Sequence, residues 1–467
     1  MKRIVANILS VSMADIMIRL LGFLTTAYLA RTLGPPEFGL MSIGLSLLGF
    51  LNLFASPGLH LMGTRDIAAG ASDARRYAVT IVVTRLLLSC LLFAATTAVC
   101  VVAVADPLAR DTIVVFALAL FPMAGSLDWF FQGKERLGLV SASRVVLAFT
   151  YLLLVLLLVR ASEDLVGSAA AFVVANLVAA TVLLFSFLRA NGMPVSFPDF
   201  SEFPEVLQRS FPLGLSLLLG QTITGLPVLV IGIFLTAAEA GAFNAALKIV
   251  VVVLLADRVL SAVFFPFISR LRREAEERSA QAVALILKLV TGLGVPIALL
   301  GVFHAQPVIT LVYSSGYERA TPAFQALFLY FLVTLMNSVM MAVLLGWNRE
   351  KEYLRVMFWG TAAMVVLCFM LTAGFGITGT ALSLGLGEMV MTVLYSRKVS
   401  STPGVSVGRV TIPPLAAGSA MVGLLLFTGG LGPVVASLLG LAGYAVIFWS
   451  AGGITDEDVA TMREIFA

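Results

Sequence analysis

Charge is scarce in this chain: 12% of its residues are Asp, Glu, Lys or Arg, against about 25% in ordinary soluble domains. Histidine appears twice and cysteine three times. Cys90, Cys100 and Cys368 are odd in number, sit inside apolar runs and form no CxxC, so neither a disulfide framework nor a zinc site is expected. They read as small buried hydrophobes. No G-x-x-x-x-G-K-[ST] occurs, which excludes ATP binding through a P-loop. No loop is long enough to form a soluble domain, and no cofactor, metal or catalytic group is expected. The chain has apolar length instead. It is 60% hydrophobic over 467 residues, with a mean hydropathy of +1.03. That composition defines an all-α integral membrane protein, because lipid leaves backbone groups no partners outside helices or closed barrels.

Stretches of roughly 20 apolar residues predict about fourteen transmembrane helices: 7–32, 38–56, 77–104, 112–132, 138–159, 165–188, 208–235, 240–268, 280–303, 323–346, 352–372, 376–396, 411–428 and 431–449. Met1-Lys2-Arg3 opens the chain like a signal peptide, but Asp15 and Arg19 interrupt the apolar region. The first run therefore reads as an uncleaved helix. One family of alternate loops holds only Arg31, Arg110, Arg160 and Arg319, whereas the other holds nearly all the remaining basic residues. The positive-inside rule then places both termini in the cytoplasm. The net charge of +4 is thus a topology signal and implies no nucleic acid. By the same rule the 269–279 stretch prolongs helix 8 into the cytoplasm, and Trp129, Trp347 and Trp449 near span ends suggest an aromatic belt.

An internal repeat is visible. Leu33 through Gly39 and Leu235 through Gly241 share L-x-x-x-E-x-G at the outer turn after helices 1 and 7. Val166-Gly167-Ser168-Ala169 and Thr378-Gly379-Thr380-Ala381 open helices 6 and 12 at a similar offset. Two parallel six-helix bundles, helices 1–6 and 7–12, follow from this pattern, with helices 13 and 14 added. Such repeats are a transporter architecture. The expected divisions are 1–190 for the first bundle, 191–207 for a cytoplasmic connector, 208–398 for the second bundle and 399–467 for helices 13–14 and a cytoplasmic tail. The alignment sets Arg19 opposite Gln221 and Asn176 opposite Glu388, as if both halves lined one cavity.

Five cations lie within the runs: Arg19, Arg85, Lys248, Arg258 and Lys288. A charge at the bilayer centre costs at least ~2.5–3.5 kcal/mol unless it faces protein or water. Arg258 lies roughly 15 Å from the inner end of its helix and Lys248 about 12 Å from the outer end of the same helix. Arg85 and Lys288 are close enough to the inner ends to snorkel. Arg19 has Asp15 one turn back. Asp15, Asp128 and Glu388 are the candidates for ion coupling or gating, or else partners of buried cations. His60 and His304 lie near membrane edges and read as interfacial packing. Such a set suggests an amphipathic, anionic cargo.

Arg19-Leu20-Leu21-Gly22 followed by Leu29-Ala30-Arg31-Thr32-Leu33-Gly34-Pro35-Pro36-Glu37-Phe38-Gly39-Leu40 resembles the polysaccharide transporter (O-antigen flippase) family of the multidrug/oligosaccharidyl-lipid/polysaccharide exporter superfamily. Gly63 through Ala68, Phe131 through Arg136 and Gly376 through Ala381 are similar to its later segments, in order. The resemblance implies two six-helix bundles forming a V. It also implies a flippase that turns undecaprenyl-diphosphate-linked oligosaccharide across the bacterial cytoplasmic membrane, with membrane lipids, a glycan polymerase and glycosyltransferases as partners. In that reading Arg19, Arg258 and Lys248 bind the diphosphate, since Arg suits phosphate oxygens bidentately. Asn244 and Gln221 serve the sugars, with Asn176 and Asn337 as further amides, and an ion gradient or the membrane potential supplies the energy.

Two other readings stay open. A multidrug or organic-cation antiporter of the same superfamily needs an acidic cavity, with Asp15 as its carboxylate, whereas the deep charges here lean basic. A membrane glycan polymerase or glycosyltransferase needs a long charged outer loop, and the longest, 304–322, carries only Glu318 and Arg319. A major-facilitator transporter lacks support, because Gly63 through Arg76 does not read G-x-x-x-D-R-x-G-R-R.

Overall fold

In the computed structural model the described residues are 2–70, 73–192, 203–255, 257, 276–400, 407–455 and 458–459, and no strand occurs among them. The helices are α1 Lys2–Leu33, α2 Pro35–Ala55, α3 Leu59–Ala68, α4 Ala74–Ala103, α5 Pro107–Leu118, α6 Leu120–Ala124, α7 Asp128–Gly133, α8 Leu137–Leu158, α9 Leu165–Asn191, α10 Phe203–Phe234, α11 Ala237–Val253, α12 Glu276–Phe303, α13 Ala305–Tyr313, α14 Thr321–Gly346, α15 Glu350–Val399, α16 Val407–Thr428 and α17 Pro433–Ser450.

Twelve described segments are long and apolar enough to cross a bilayer, where the sequence predicts fourteen. The difference has two sources. Helix α15 carries two predicted spans joined at Gly376, whose φ of 60° and ψ of −146° break the helical path. A side chain would strain that turn, so glycine is the residue that fits. The span predicted at 240–268 is seen only as α11, because residues 258–268 lie outside the described residues. The helix starts follow capping chemistry. Asp106 accepts hydrogen bonds from the Leu108 and Ala109 amides, with Pro107 at the first position. These contacts satisfy donors that have no partner inside the helix.

The chain forms two compact units, residues 1–244 and 245–467. In the first, α8 packs on α1 and α9, and α5 packs on α2 and α9. Helix α10 lies against α2 and α3, which carries this unit past the expected connector at 191–207. An aromatic core of Trp129, Phe130, Phe131 and Phe187 closes around Leu59 and Met62. The expected aromatic belt is corrected here: Trp129 is 1% exposed and Trp347 5%, so both pack inward, whereas Trp449 and Trp359 are exposed.

In the second unit α14 packs on α12 and α15, while α16 and α17 pair and cover α12. The Tyr444 hydroxyl donates to the Gly292 carbonyl at 2.8 Å, fixing α17 to α12. Lys288 does not snorkel. Its ammonium donates to Asp458 at 2.7 Å, with both side chains mostly buried. The Asp458 carboxylate also accepts from the Thr455 amide and hydroxyl, so the segment after α17 is tied back onto α12. Burial alone would raise this carboxyl; the Lys288 and Thr455 donors hold it below its ordinary value.

The repeated glycines meet. Gly39 on α2 and Gly241 on α11 face each other within the first unit. A Cβ on either would lie 2.9 Å from the other's amide nitrogen and closer still to the carbonyl of Ala237 or Pro35. The repeated glutamate has a local reason. Glu239 accepts from the Thr236 amide at 3.1 Å while the Thr236 hydroxyl accepts from the Glu239 amide at 3.3 Å, a reciprocal cap at the start of α11.

Candidate functional site

The predicted span 112–132 is broken into α5, α6 and α7. Pro122 lacks an amide proton, and Gly125 and Ser126 end the path at Asp128. The break frees carbonyls, because the Phe130 amide turns to Leu127 rather than to Ser126. Arg85 of α4 takes them. One Nη donates to the Ser126 carbonyl at 3.2 Å and the other to the Met123 carbonyl at 2.6 Å. Arg85 is 6% exposed, so the snorkelling expected of it is corrected: it turns inward and caps a broken helix.

Beside this break lies a cavity of about 400 Å³ inside the first unit. Its polar lining includes Asn52, Ser56, His60, Arg85, Asp128, Arg144, Asn176 and Gln221. Asp128 accepts weakly from Arg144 and from the Ser126 hydroxyl, both at 3.4 Å. Asn176, buried, donates to the Phe172 carbonyl of its own helix. Among the described residues, two fully buried polar atoms of the lining residues, the Ser56 hydroxyl oxygen and Arg85 Nε, have no hydrogen-bond partner. His60 is held below its ordinary pKa by burial, with Asp128 opposing and Arg85 and Arg144 adding to the depression. The ring is therefore neutral at pH 7. His60 is thus a lining residue of this cavity, whereas His304 bonds the Ser437 hydroxyl at 2.7 Å.

The second unit holds a separate polar cluster. Glu388 of α15 is 9% exposed. Asn337 of α14 donates to its Oε2 at 2.5 Å and to its backbone carbonyl at 2.9 Å. The Thr392 hydroxyl donates to Asn337 Oδ1 at 2.9 Å. Nearby in sequence, Ser338 donates to Asp257 at 2.8 Å. Among the described residues, the side-chain partner of the Glu388 carboxylate is the Asn337 amide.

The other predicted residues are placed as follows. Arg19 Nε donates to Asp15 at 2.9 Å along α1, as the i,i+4 spacing predicts. Asn244 is buried and donates to the Ser42 hydroxyl at 2.7 Å. Gln221 lines the cavity beside Gly49 and Gly225, whose missing side chains leave room for its amide. Lys248 is exposed. Arg258 lies outside the described residues. Among the described residues, Asp128, Gln221 and Asn176 of the predicted residues share the cavity. Sequence reasoning missed Arg85, Arg144, His60 and Ser56 as one group. The signal available was Pro122 and Gly125 inside an apolar run, which marks a breaker.

Helices of this number and length, with polar clusters inside the bundles, define a multi-pass helical membrane protein. Residues 4–272 match the family described as polysaccharide biosynthesis protein. That is more than half of the chain, and the chain belongs to this family. Among its relatives is an Escherichia coli (strain K12) protein named for O-antigen transport, 24% identical over 388 residues, covering 80% of this chain and 91% of that protein. The low-salt glycan biosynthesis flippase Agl15 of Haloferax volcanii is 22% identical over 384 residues, covering 82% and 80%. Among solved structures, the lipid II flippase MurJ in an inward closed conformation superposes with a TM-score of 0.76 at 13% identity, covering 94% of this chain and 97% of that one. At such identity the superposition shows the shared fold alone. It agrees with the superfamily read from the N-terminal motifs.

Proposed function

We propose that this protein is a flippase that carries oligosaccharide linked to undecaprenyl diphosphate from the cytoplasmic to the outer leaflet of the bacterial cytoplasmic membrane, by alternating access, with both termini cytoplasmic. The observation that carries the reading is the family match over residues 4–272, supported by relatives named for O-antigen transport and glycan flipping. The diphosphate is the part that hydrocarbon rejects, and guanidinium and ammonium groups meet it as charge-assisted donors. Arg19, Lys248 and Arg258 take that role in this proposal. Asn244 and Gln221 serve the sugars. Asn244 is already bonded to Ser42, so it reaches a sugar only when α2 and the start of α11 part. Glycosyltransferases supply the cargo and a polymerase consumes it outside.

Asp15, Asp128 and Glu388 are the coupling or gating candidates. Glu388 is best suited to hold a proton or cation, being a buried carboxylate that accepts from the neutral Asn337 amide. Inward movement of a cation would then drive an anionic cargo outward. The test is inactivation of the gene in its host, with lipid-linked oligosaccharide and surface glycan both measured. Accumulation of the lipid-linked form with loss of surface glycan is expected. Unchanged glycan with new sensitivity to organic cations would move the protein to the antiporter reading.

A further inference from the structure

We infer that Asp66 is a latch: its carboxylate grips Arg209 and so holds the inner end of α10 against α3 within the first unit. Its release lets that end of α10 swing away and opens the seam that runs up to the cavity. The sequence segments Gly63 through Ala68 and Phe131 through Arg136, to which the cavity gives no role, are what build it. The inference concerns the movement of one helix end and holds whatever the cargo is.

The two segments dock on each other. A Cβ on Gly63 of α3 would run into the Trp129 ring of α7, and one on Gly133 of α7 would lie 2.7 Å from the Thr64 carbonyl oxygen. The Thr64 hydroxyl donates to the Trp129 carbonyl at 3.1 Å. Surfaces packed this closely have no room to slide, so α3 and α7 move as one block. On the last turn of α3, Asp66 has a side chain 18% exposed. It accepts from the Tyr77 hydroxyl of α4 at 2.8 Å, from Arg65 Nε at 3.1 Å and from an Arg209 Nη of α10 at 3.2 Å. Tyr77 stands edge-on to Trp129, so it orients the carboxylate from the block's own side. Arg209 is the donor that arrives from α10.

Beyond the ion pair, the same elements meet backbone to backbone. Gly58 caps α3 with φ 75°. A Cβ there would lie 2.6 Å from the Gly214 nitrogen and nearer still to the Ser210 carbonyl, and one on Gly214 would lie 2.8 Å from the Pro57 carbonyl carbon. Further along α10, Leu217 and Gln221 line the cavity, as His60 does from the first turn of α3. The seam therefore leads from Asp66 to the cavity. Glycine contacts interlock no side chains, so this seam parts once its end is freed. The holding pair is suited to letting go: the Arg209 side chain is 48% exposed, and exposed pairs bias an equilibrium only a few-fold. Helix α10 also opens the second sequence repeat, so the pair fastens one repeat to the other at their inner ends.

The test is thiol labelling of the full-length protein in nanodiscs by a charged, membrane-impermeant maleimide, in a background carrying Cys90→Ala, Cys100→Ala and Cys368→Ala. Ser210 is fully buried in the seam, so Ser210→Cys is a near-isosteric reporter of its opening. Ser89, equally buried on α4, supplies the control as Ser89→Cys. Labelling of the reporter should be slow with the latch intact and rise about fivefold with Asp66→Asn or Arg209→Gln, the factor a half-exposed pair can supply. The two substitutions combined should raise it no further, because they remove one contact. Added salt should speed labelling while the pair is intact and have no effect once it is gone, since salt screens exposed charges. Thermal melting checks that each variant is folded. Labelling that neither substitution changes overturns the inference. So does labelling that rises equally at the Ser89→Cys control, which would mean general loosening of the unit. Neither result bears on whether the protein flips a lipid-linked glycan, which is read separately from glycan accumulation.

Discussion

Gly39 and Gly241 offer a test in which two opposing effects have known sizes. Replacing a glycine inside an exposed helix by alanine is ordinarily stabilising by about 0.8–1 kcal/mol, since alanine loses less conformational freedom. Here the new methyl would meet backbone. From Gly39 it would lie 2.9 Å from the Gly241 nitrogen and nearer to the Ala237 carbonyl; from Gly241 the relation is mirrored at the Gly39 nitrogen and Pro35 carbonyl. Backbone atoms cannot rotate aside, so the two helices must separate, and overpacking of this kind costs about 1–3 kcal/mol. The clash therefore outweighs the propensity gain, by up to roughly 2 kcal/mol. The two substitutions share one contact, so the double variant should cost less than the two single costs combined. If α2 and α11 part during transport, the strain is relieved in the open state, and that state gains population by about 5–30-fold. Thermal melting of purified Gly39→Ala, Gly241→Ala and the double variant reads the cost directly. Single variants that melt higher than the parent would show that helix propensity dominates and that the backbones do not approach this closely.

Further outcomes follow from the polar contacts. Asn337→Ala should destabilise the second unit by about 1–3 kcal/mol, because it leaves the Glu388 carboxylate buried without its amide donor, whereas Glu388→Gln should fold normally yet lose any dependence of transport on the ion gradient. Arg85→Met should lower the melting temperature more than Arg144→Gln, since it leaves the Ser126 carbonyl without its donor at a cost of about 1–3 kcal/mol and the Met123 carbonyl with only the Ser126 amide. His60 has a folded pKa below its ordinary 6.5, so the stability linked to it is complete above that value and is lost as pH falls through the lower folded value. His60→Gln should flatten the pH dependence of melting across that window. Asp458, also held low, behaves likewise in the range below about 3.9, and Asp458→Asn should expose the segment after α17 to proteases by breaking the Lys288 pair.

Contacts along one helix were legible in the sequence, because spacing alone brings them together. The Asp15–Arg19 pair is the clearest case. The apolar runs were equally readable, since lipid demands length and continuity. The repeat was visible in two short motifs, but not the reason for its glycines, which appears only when Gly39 and Gly241 are seen face to face. Contacts across helices were not legible. Asn337 and Glu388 stand 51 positions apart, and no periodicity pairs them. Arg85 looked close enough to the membrane edge to snorkel, and what turned it inward is a helix break on another element. Lys288 was misread for the same reason, because its partner lies beyond the last span. Sequence position fixes the depth of a charge in the bilayer; the neighbouring helices decide which way it points.

The most direct test of the account is a flipping assay with the purified protein in vesicles carrying fluorescent undecaprenyl-diphosphate oligosaccharide in the inner leaflet. Movement of the glycan to the outer leaflet should depend on the protein, respond to an imposed pH gradient or potential, and fall sharply when Arg19 and Arg258 are both replaced by alanine. Protein-containing vesicles that scramble no faster than empty ones, with folded protein verified in the same preparation, would contradict it.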